Sequence, residues 1–125
     1  MDTFERPTIT VPDGEPPSEL VIEDIVVGDG TEAVSGAQVS VDYVGVAWST
    51  GAEFDASWNR GEPLPFTLGV GQVISGWDQG VAGMRVGGRR RITIPPDMAY
   101  GPAGAGGAIG PNETLIFTCD LRSVG

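Results

Sequence analysis

The sequence predicts an α+β fold: a curved antiparallel β-sheet, a half-barrel, wrapped around one short α-helix. Three observations predict it. Several short segments space their apolar residues with the two-residue period of half-buried strands. One segment carries helical spacing. Gly- and Pro-rich breaks separate these segments at short intervals and no segment repeats another, which suits strands joined by turns with one packed helix.

In chain order, residues 1–18 hold Pro7, Pro12, Pro16 and Pro17 among Asp and Glu, the composition of an extended N-terminal arm. The alternation Pro7-Thr8-Ile9-Thr10-Val11 leaves it room to lie along the body. A single domain is expected over 19–125, long enough to bury roughly two-thirds of its unfolded surface. Leu20, Ile22 and Ile25 form a short strand ended by Gly28-Asp29-Gly30. Val39, Val41 and Tyr43 alternate with Ser40 and Asp42 as a second strand. Trp48-Ser49-Thr50-Gly51 turns the chain, and Glu53-Phe54-Asp55 restarts it. Leu64, Phe66 and Leu68 alternate again; Pro65 lacks a donor, so this strand belongs at an edge or carries a bulge. The helix is expected over Ile74 to Met84, capped by Ser75 with Asp78 in its first turn, with Trp77 and Val81 on one face. Gly83 or Gly87 stops it. Ile92 and Ile94 continue a strand ended by Pro95-Pro96. Residues 101–111, with Gly101, Gly104, Gly106, Gly107 and Gly110, read as a flexible loop. Leu115, Phe117, Cys119 and Leu121 alternate with Ile116, Thr118, Asp120 and Arg122 as a last strand.

Composition restricts the chemistry. The chain has no histidine, its basic residues are all arginine, and Cys119 is its one cysteine. A Ser-His-Asp or Cys-His device, a Schiff-base lysine, a lysine-bearing phosphate loop and a Cys/His zinc site are all excluded. No cofactor or metal is implied. The formal charge of −10 argues against nucleic acid and anionic membranes as partners. No apolar run reaches the length of a membrane span, and the first residues lack a basic start followed by an apolar stretch. With a lone cysteine these features suggest a cytoplasmic protein, and nothing demands more than a monomer. Gly28-Asp29-Gly30-Thr31-Glu32-Ala33 matches a dinucleotide glycine pattern loosely but lacks its helix. Arg89, Arg90 and Arg91 are expected to pair with local carboxylates. Cys119 reads as an inert core thiol.

Taken singly, Tyr43, Phe54, Phe66, Trp77, Tyr100 and Phe117 read as core aromatics. Their order is more specific. Val39-Ser40-Val41-Asp42-Tyr43-Val44-Gly45 precedes Glu53-Phe54-Asp55-Ala56-Ser57 and Leu68-Gly69. Val73-Ile74-Ser75-Gly76-Trp77-Asp78-Gln79-Gly80-Val81 follows, with Gly83-Met84 and Val86-Gly87 close behind. Then come Ile94-Pro95-Pro96-Asp97-Met98-Ala99-Tyr100-Gly101 and Thr114-Leu115-Ile116-Phe117. In this order and spacing the chain resembles the FKBP-type peptidyl-prolyl cis-trans isomerases, the immunophilins that bind tacrolimus and rapamycin, from about residue 19 to 124.

The resemblance implies the family fold and a hydrophobic pocket between sheet and helix. Trp77 is its implied floor; Tyr43, Phe54 and Phe117 are its aromatic walls, with Val73 and Ile74 beside them. Ile74 offers its backbone N–H, and Tyr100 its hydroxyl, to ligand carbonyls. Asp55 sits at the rim, held by Arg60, and Leu64 and Ile109 complete the edge. Phe66 joins Arg60, Leu64, Val73 and Ile109 as a substrate contact. Trp48 and Trp58 are not matched to the pocket; partial burial in loops is expected for them, with Trp58 close to the rim.

The chain departs from the common pattern at Leu64 (phenylalanine in the best-known members), Gln72 (glutamate), Ala105 and Ala108 (histidine and isoleucine), and by one inserted residue near Trp48. Substrate preference and inhibitor affinity are the properties these departures touch. The partners implied are proline-containing peptides and unfolded proteins, with tacrolimus- or rapamycin-type macrolides as inhibitors. The alternative is a proline-peptide-binding module or holdase that uses the same groove with little turnover.

Overall fold

In a computed structural model of the chain, residues 5–105 and 109–125 are described; Gly106, Gly107 and Ala108 of the glycine-rich loop, and the first four residues of the expected arm, lie outside them. The elements run β1 Val21–Val26, β2 Gln38–Ala47, β3 Glu53–Ala56, a 3-10 turn Ser57–Asn59, β4 Leu64–Thr67, α1 Ser75–Gly80, β5 Arg89–Ile94, further 3-10 turns at Pro96–Met98 and Gly101–Ala103, and β6 Leu115–Val124. The strands form one antiparallel sheet in the order β1-β5-β6-β2-β3, and β4 pairs with the first half of β2 while β3 pairs with its second half. This is the open sheet around one short helix that the sequence predicts.

The two-residue period sorts the long strands into two faces. Val39, Val41 and Tyr43 of β2, Ile92 and Ile94 of β5, and Leu115, Phe117, Cys119 and Leu121 of β6 point inward, where they join Leu68, Trp77 and Val81 in the main core. On the outer face Val44, Val46, Ile116, Thr118 and Asp120 are also buried. Residues 5–20 form no regular element, and their hydrogen bonds fall on this outer face. Arg89 donates to the Glu5 carbonyl at 2.6 Å and Arg91 to the Thr10 carbonyl at 3.1 Å. Arg6 donates to Asn59 at 2.9 Å and pairs with Glu53. Pro7, Ile9 and Val11 are half-buried, in alternation with exposed neighbours.

Two expectations change. The helix is shorter than Ile74 to Met84, ending at Gly80 with Val81 as its C-cap. Gly76 and Gly80 let it lie close on β5: a Cβ at Gly76 would stand 2.4 Å from Ile94, and one at Gly80 2.9 Å from Ile92. Two glycines in so few residues weaken the helix, and Gly83, at φ +92, turns the chain away. Nor does Ser75 cap it. Ile74 occupies the N-cap in extended conformation with no side-chain bond, while the Asp78 carboxylate accepts the amides of Gly69 and Gly71 at 2.8 and 3.0 Å.

Other features agree. Pro65 lies in β4, whose one strand partner among the described residues is β2, so its missing donor faces an open edge. Arg89 pairs with Asp120 at 2.7 Å and Arg90 with Asp24 at 2.7 Å, as expected, whereas Arg91 takes a carbonyl. Arg90 also donates to the carbonyls of Gly80 and Ala82, at 2.8 and 3.0 Å, and so covers the end of α1. The base of the 101–111 loop is pinned: Ala105 and Ile109 exchange backbone bonds of 2.9 and 3.1 Å, and Ile109 is buried.

Candidate functional site

Between α1 and the concave side of the sheet lies a cleft of about 440 Å³. Trp77 forms its floor because α1 lies flat on β5, with the indole turned toward β2 and β6. The Tyr43 ring stands edge-on to the indole, 4.9 Å between centroids at 85°. Phe117 does the same from β6 at 5.3 Å and 87°, and Phe54 of β3 meets Phe117 at 5.5 Å and 88°. Edge-to-face geometry fixes each ring against its neighbour. Gly45 makes this packing possible, since a Cβ there would lie 2.7 Å from both Phe117 and Phe54. Val73 and Ile74, just ahead of α1, line the cleft beside Leu64 of β4 and Tyr100 of the loop after β5.

One charged residue interrupts this lining. Asp55 of β3 reaches the cleft, and its Oδ2 accepts the Tyr43 hydroxyl at 2.5 Å. Its Oδ1 accepts Arg60 at 3.0 Å and the Ala56 amide at 2.9 Å. Arg60 also donates to the Tyr43 oxygen at 2.9 Å, which closes a hydroxyl–carboxylate–guanidinium triangle. Burial, reinforced by the bond to Asp55, pushes the Tyr43 hydroxyl up to about 12. Burial and the charge on Asp55 likewise raise the Tyr100 hydroxyl. Both phenols therefore keep their protons at neutral pH and can donate.

The structure brings Tyr43, Phe54, Asp55, Leu64, Val73, Ile74, Trp77, Tyr100 and Phe117 to one cavity. It does not bring Phe66, Ile109 or Arg60 to the cavity wall. Phe66 packs behind the indole at 5.6 Å and opens instead on a second groove along β4. Ile109 is buried in the core, and Arg60 acts through Asp55 and Tyr43. Gln72, noted in the sequence as a replacement and not as a contact, lines the cleft while its Oε1 accepts the Thr67 amide at 2.9 Å. Trp58 lies away from the cleft under the Arg122 guanidinium, 5.7 Å from its ring, and Trp48 is half-buried. Burial drives the Cys119 thiol well above its ordinary range, so it is inert there. Among the described residues, the indole N–H groups of Trp77 and Trp58 have no acceptor.

The comparisons point to one family. The family described as FKBP-type peptidyl-prolyl cis-trans isomerase matches residues 30–122. The chain is 64% identical over 123 residues to the FK506-binding protein of Streptomyces anulatus, covering 98% of this chain and 99% of that one. It is 51% identical over 120 residues to the probable FK506-binding protein of Corynebacterium glutamicum, covering 96% and 99%. The crystal structure of AtFKBP13 superposes with a TM-score of 0.79 at 42% identity, covering 88% of this chain and 96% of the other. FkpA from Escherichia coli gives 0.76 at 40% identity, the match spanning 84% of this chain and 47% of FkpA.

Proposed function

The chain belongs to the FKBP-type peptidyl-prolyl cis-trans isomerases, and from that premise we propose that the aromatic cleft accelerates X-Pro rotation without any covalent step. Amide rotation costs about 18–20 kcal/mol because it breaks C–N conjugation. Uncatalysed X-Pro exchange takes on the order of tens to hundreds of seconds. Bringing it to milliseconds needs a barrier lower by roughly 6 kcal/mol, at about 1.4 per decade. The planar imide carries more charge on its oxygen than the twisted one, so water favours the ground state. A pocket walled by Tyr43, Phe54, Trp77 and Phe117 removes that advantage and holds the twisted form.

The donors fix the flanking peptide. The Ile74 amide stands at the N-cap, outside the helix ladder, and the Tyr100 hydroxyl borders the same cavity. Asp55 faces the rotating imide while Tyr43 and Arg60 hold it in place. Substrates are proline-containing peptides and unfolded chains. Tacrolimus-type macrolides, the ligands for which the curated relatives are named, are inhibitors of the same cleft.

The observation that carries this reading is the convergence of five aromatic rings and one triply hydrogen-bonded carboxylate on a single cavity. A protease-free assay of cis-to-trans exchange in an aromatic-proline peptide tests it. Exchange well above background at micromolar protein, suppressed by tacrolimus, is expected. A background rate overturns it, and peptide binding that persists without exchange would favour a holdase instead.

A further inference from the structure

The segment that carries Asp55 is held from behind by a residue that does not line the cleft. Ser57 follows Asp55 by two residues, opens the 3-10 turn and is fully buried. Its hydroxyl donates to Asp42 Oδ1 at 2.7 Å and accepts the Tyr43 amide at 2.8 Å. Its carbonyl accepts the amides of Arg60 and Gly61 at 2.9 and 3.1 Å. One small side chain and its own backbone thus tie together the strand bearing Tyr43, the strand bearing Asp55 and the turn that delivers Arg60. Asp42 is fixed in turn, its Oδ2 accepting Arg122 at 2.8 Å.

β3 needs such an anchor. It is short, its one strand partner among the described residues is β2, and the register shifts between Gly45 and Val46 directly opposite Asp55. A strand with so few ladder bonds does not by itself fix a carboxylate against a hydroxyl and a guanidinium. A displacement of about 1 Å in a reacting constellation can cost on the order of a hundredfold in rate.

We infer that Ser57 is a positioning residue for the isomerase cleft: it sets Asp55, Tyr43 and Arg60 at hydrogen-bonding distance without touching substrate. The inference rests on the role given above to Asp55. Removing the hydroxyl leaves the buried Tyr43 amide without its acceptor and takes from Asp42 Oδ1 the serine donor, and frees the turn to shift.

The test is a double-mutant cycle between Ser57→Ala and Asp55→Ala, with kcat/KM measured well below each variant's melting midpoint. Ser57→Cys, which keeps the shape at a slightly larger size and hydrogen-bonds weakly, takes the place of Ser57→Ala if that variant does not fold. The serine change is expected to lower kcat/KM about three- to tenfold with Asp55 present and less than about twofold in the Asp55→Ala background, because the two changes remove one shared interaction. Equal losses in both backgrounds, the signature of mere destabilisation, overturn the inference. So does a folded Ser57 variant of undiminished activity. If Asp55→Ala costs activity and the serine change does not, the role of Asp55 stands and that of Ser57 falls; if both are silent, both fall.

Discussion

Asp55 accepts from Tyr43, Arg60 and the Ala56 amide, so its position is overdetermined by groups that do not react. Such a carboxylate can act on a substrate because none of its partners must move. Asp55→Ala in a folded protein is expected to lower kcat/KM on a proline tetrapeptide by about tenfold or more. An unchanged value would make Asp55 a structural ion-pair partner. Tyr43 gives a prediction about pH. Its hydroxyl is raised from 10.0 to about 12, so the folded state holds this proton more tightly than the unfolded chain. Its contribution to stability is therefore complete below pH 10.0 and is lost as pH rises toward about 12. Urea midpoints measured across that window are expected to fall, and to fall less steeply in Tyr43→Phe; the raised Tyr100 hydroxyl supplies part of what remains. The aromatic residues of the cleft were legible in the sequence because their spacing repeats a family order. Ser57 stands in one of those motifs, but its role was not legible, because a serine hydroxyl has no assigned partner until the strand it bonds to is in view.

The helix shows how packing outweighs propensity. Alanine is a better helix former than glycine by roughly 1 kcal/mol. At position 76, however, its Cβ would meet Ile94 at 2.4 Å. Overpacking of that kind costs about 1–3 kcal/mol and wins. Gly76→Ala is expected to lower the denaturant midpoint, and the loss should shrink in an Ile94→Ala background, where the opposing atoms are gone. The same glycines explain why the helix ends were misread. Read as a helix interior, Gly76 and Gly80 are only poor helix formers; in the structure they are contact surfaces, and Asp78, in the first turn as expected, bonds the loop before the helix. β2 and β6 were legible because each separates two buried faces by strict alternation. Phe66 followed the same alternation to the inner face of β4, but which side of the indole it would meet depends on how far the helix leans.

Across the whole molecule, the chain ahead of β1 acts as a strap on the outer face of the sheet. Its grip is on backbone as much as on side chains: Arg89 and Arg91 hold carbonyls that any sequence would present. The alternation over residues 7–11 leaves the segment room to lie along the body but does not say where. Removing residues 1–12 is expected to destabilise the protein by roughly 2–3 kcal/mol, from half-burial of Pro7, Ile9 and Val11 and at most about 1 from the solvent-facing Arg6–Glu53 pair. Thermal or urea unfolding of the shortened chain measures it, and an unchanged midpoint would mean that the strap rests on the sheet without holding it.

β6 lies between β5 and β2 although it is made after both. A nascent chain that has reached only Asn112 has every other strand in hand and nothing to seat β5 beside β2. The sheet is therefore completed after its last strand clears the ribosome, by closure over long stretches of chain, which places this fold among the slower ones for its size. Until then, the apolar faces that later enclose the cleft are open to whatever else is being synthesised nearby.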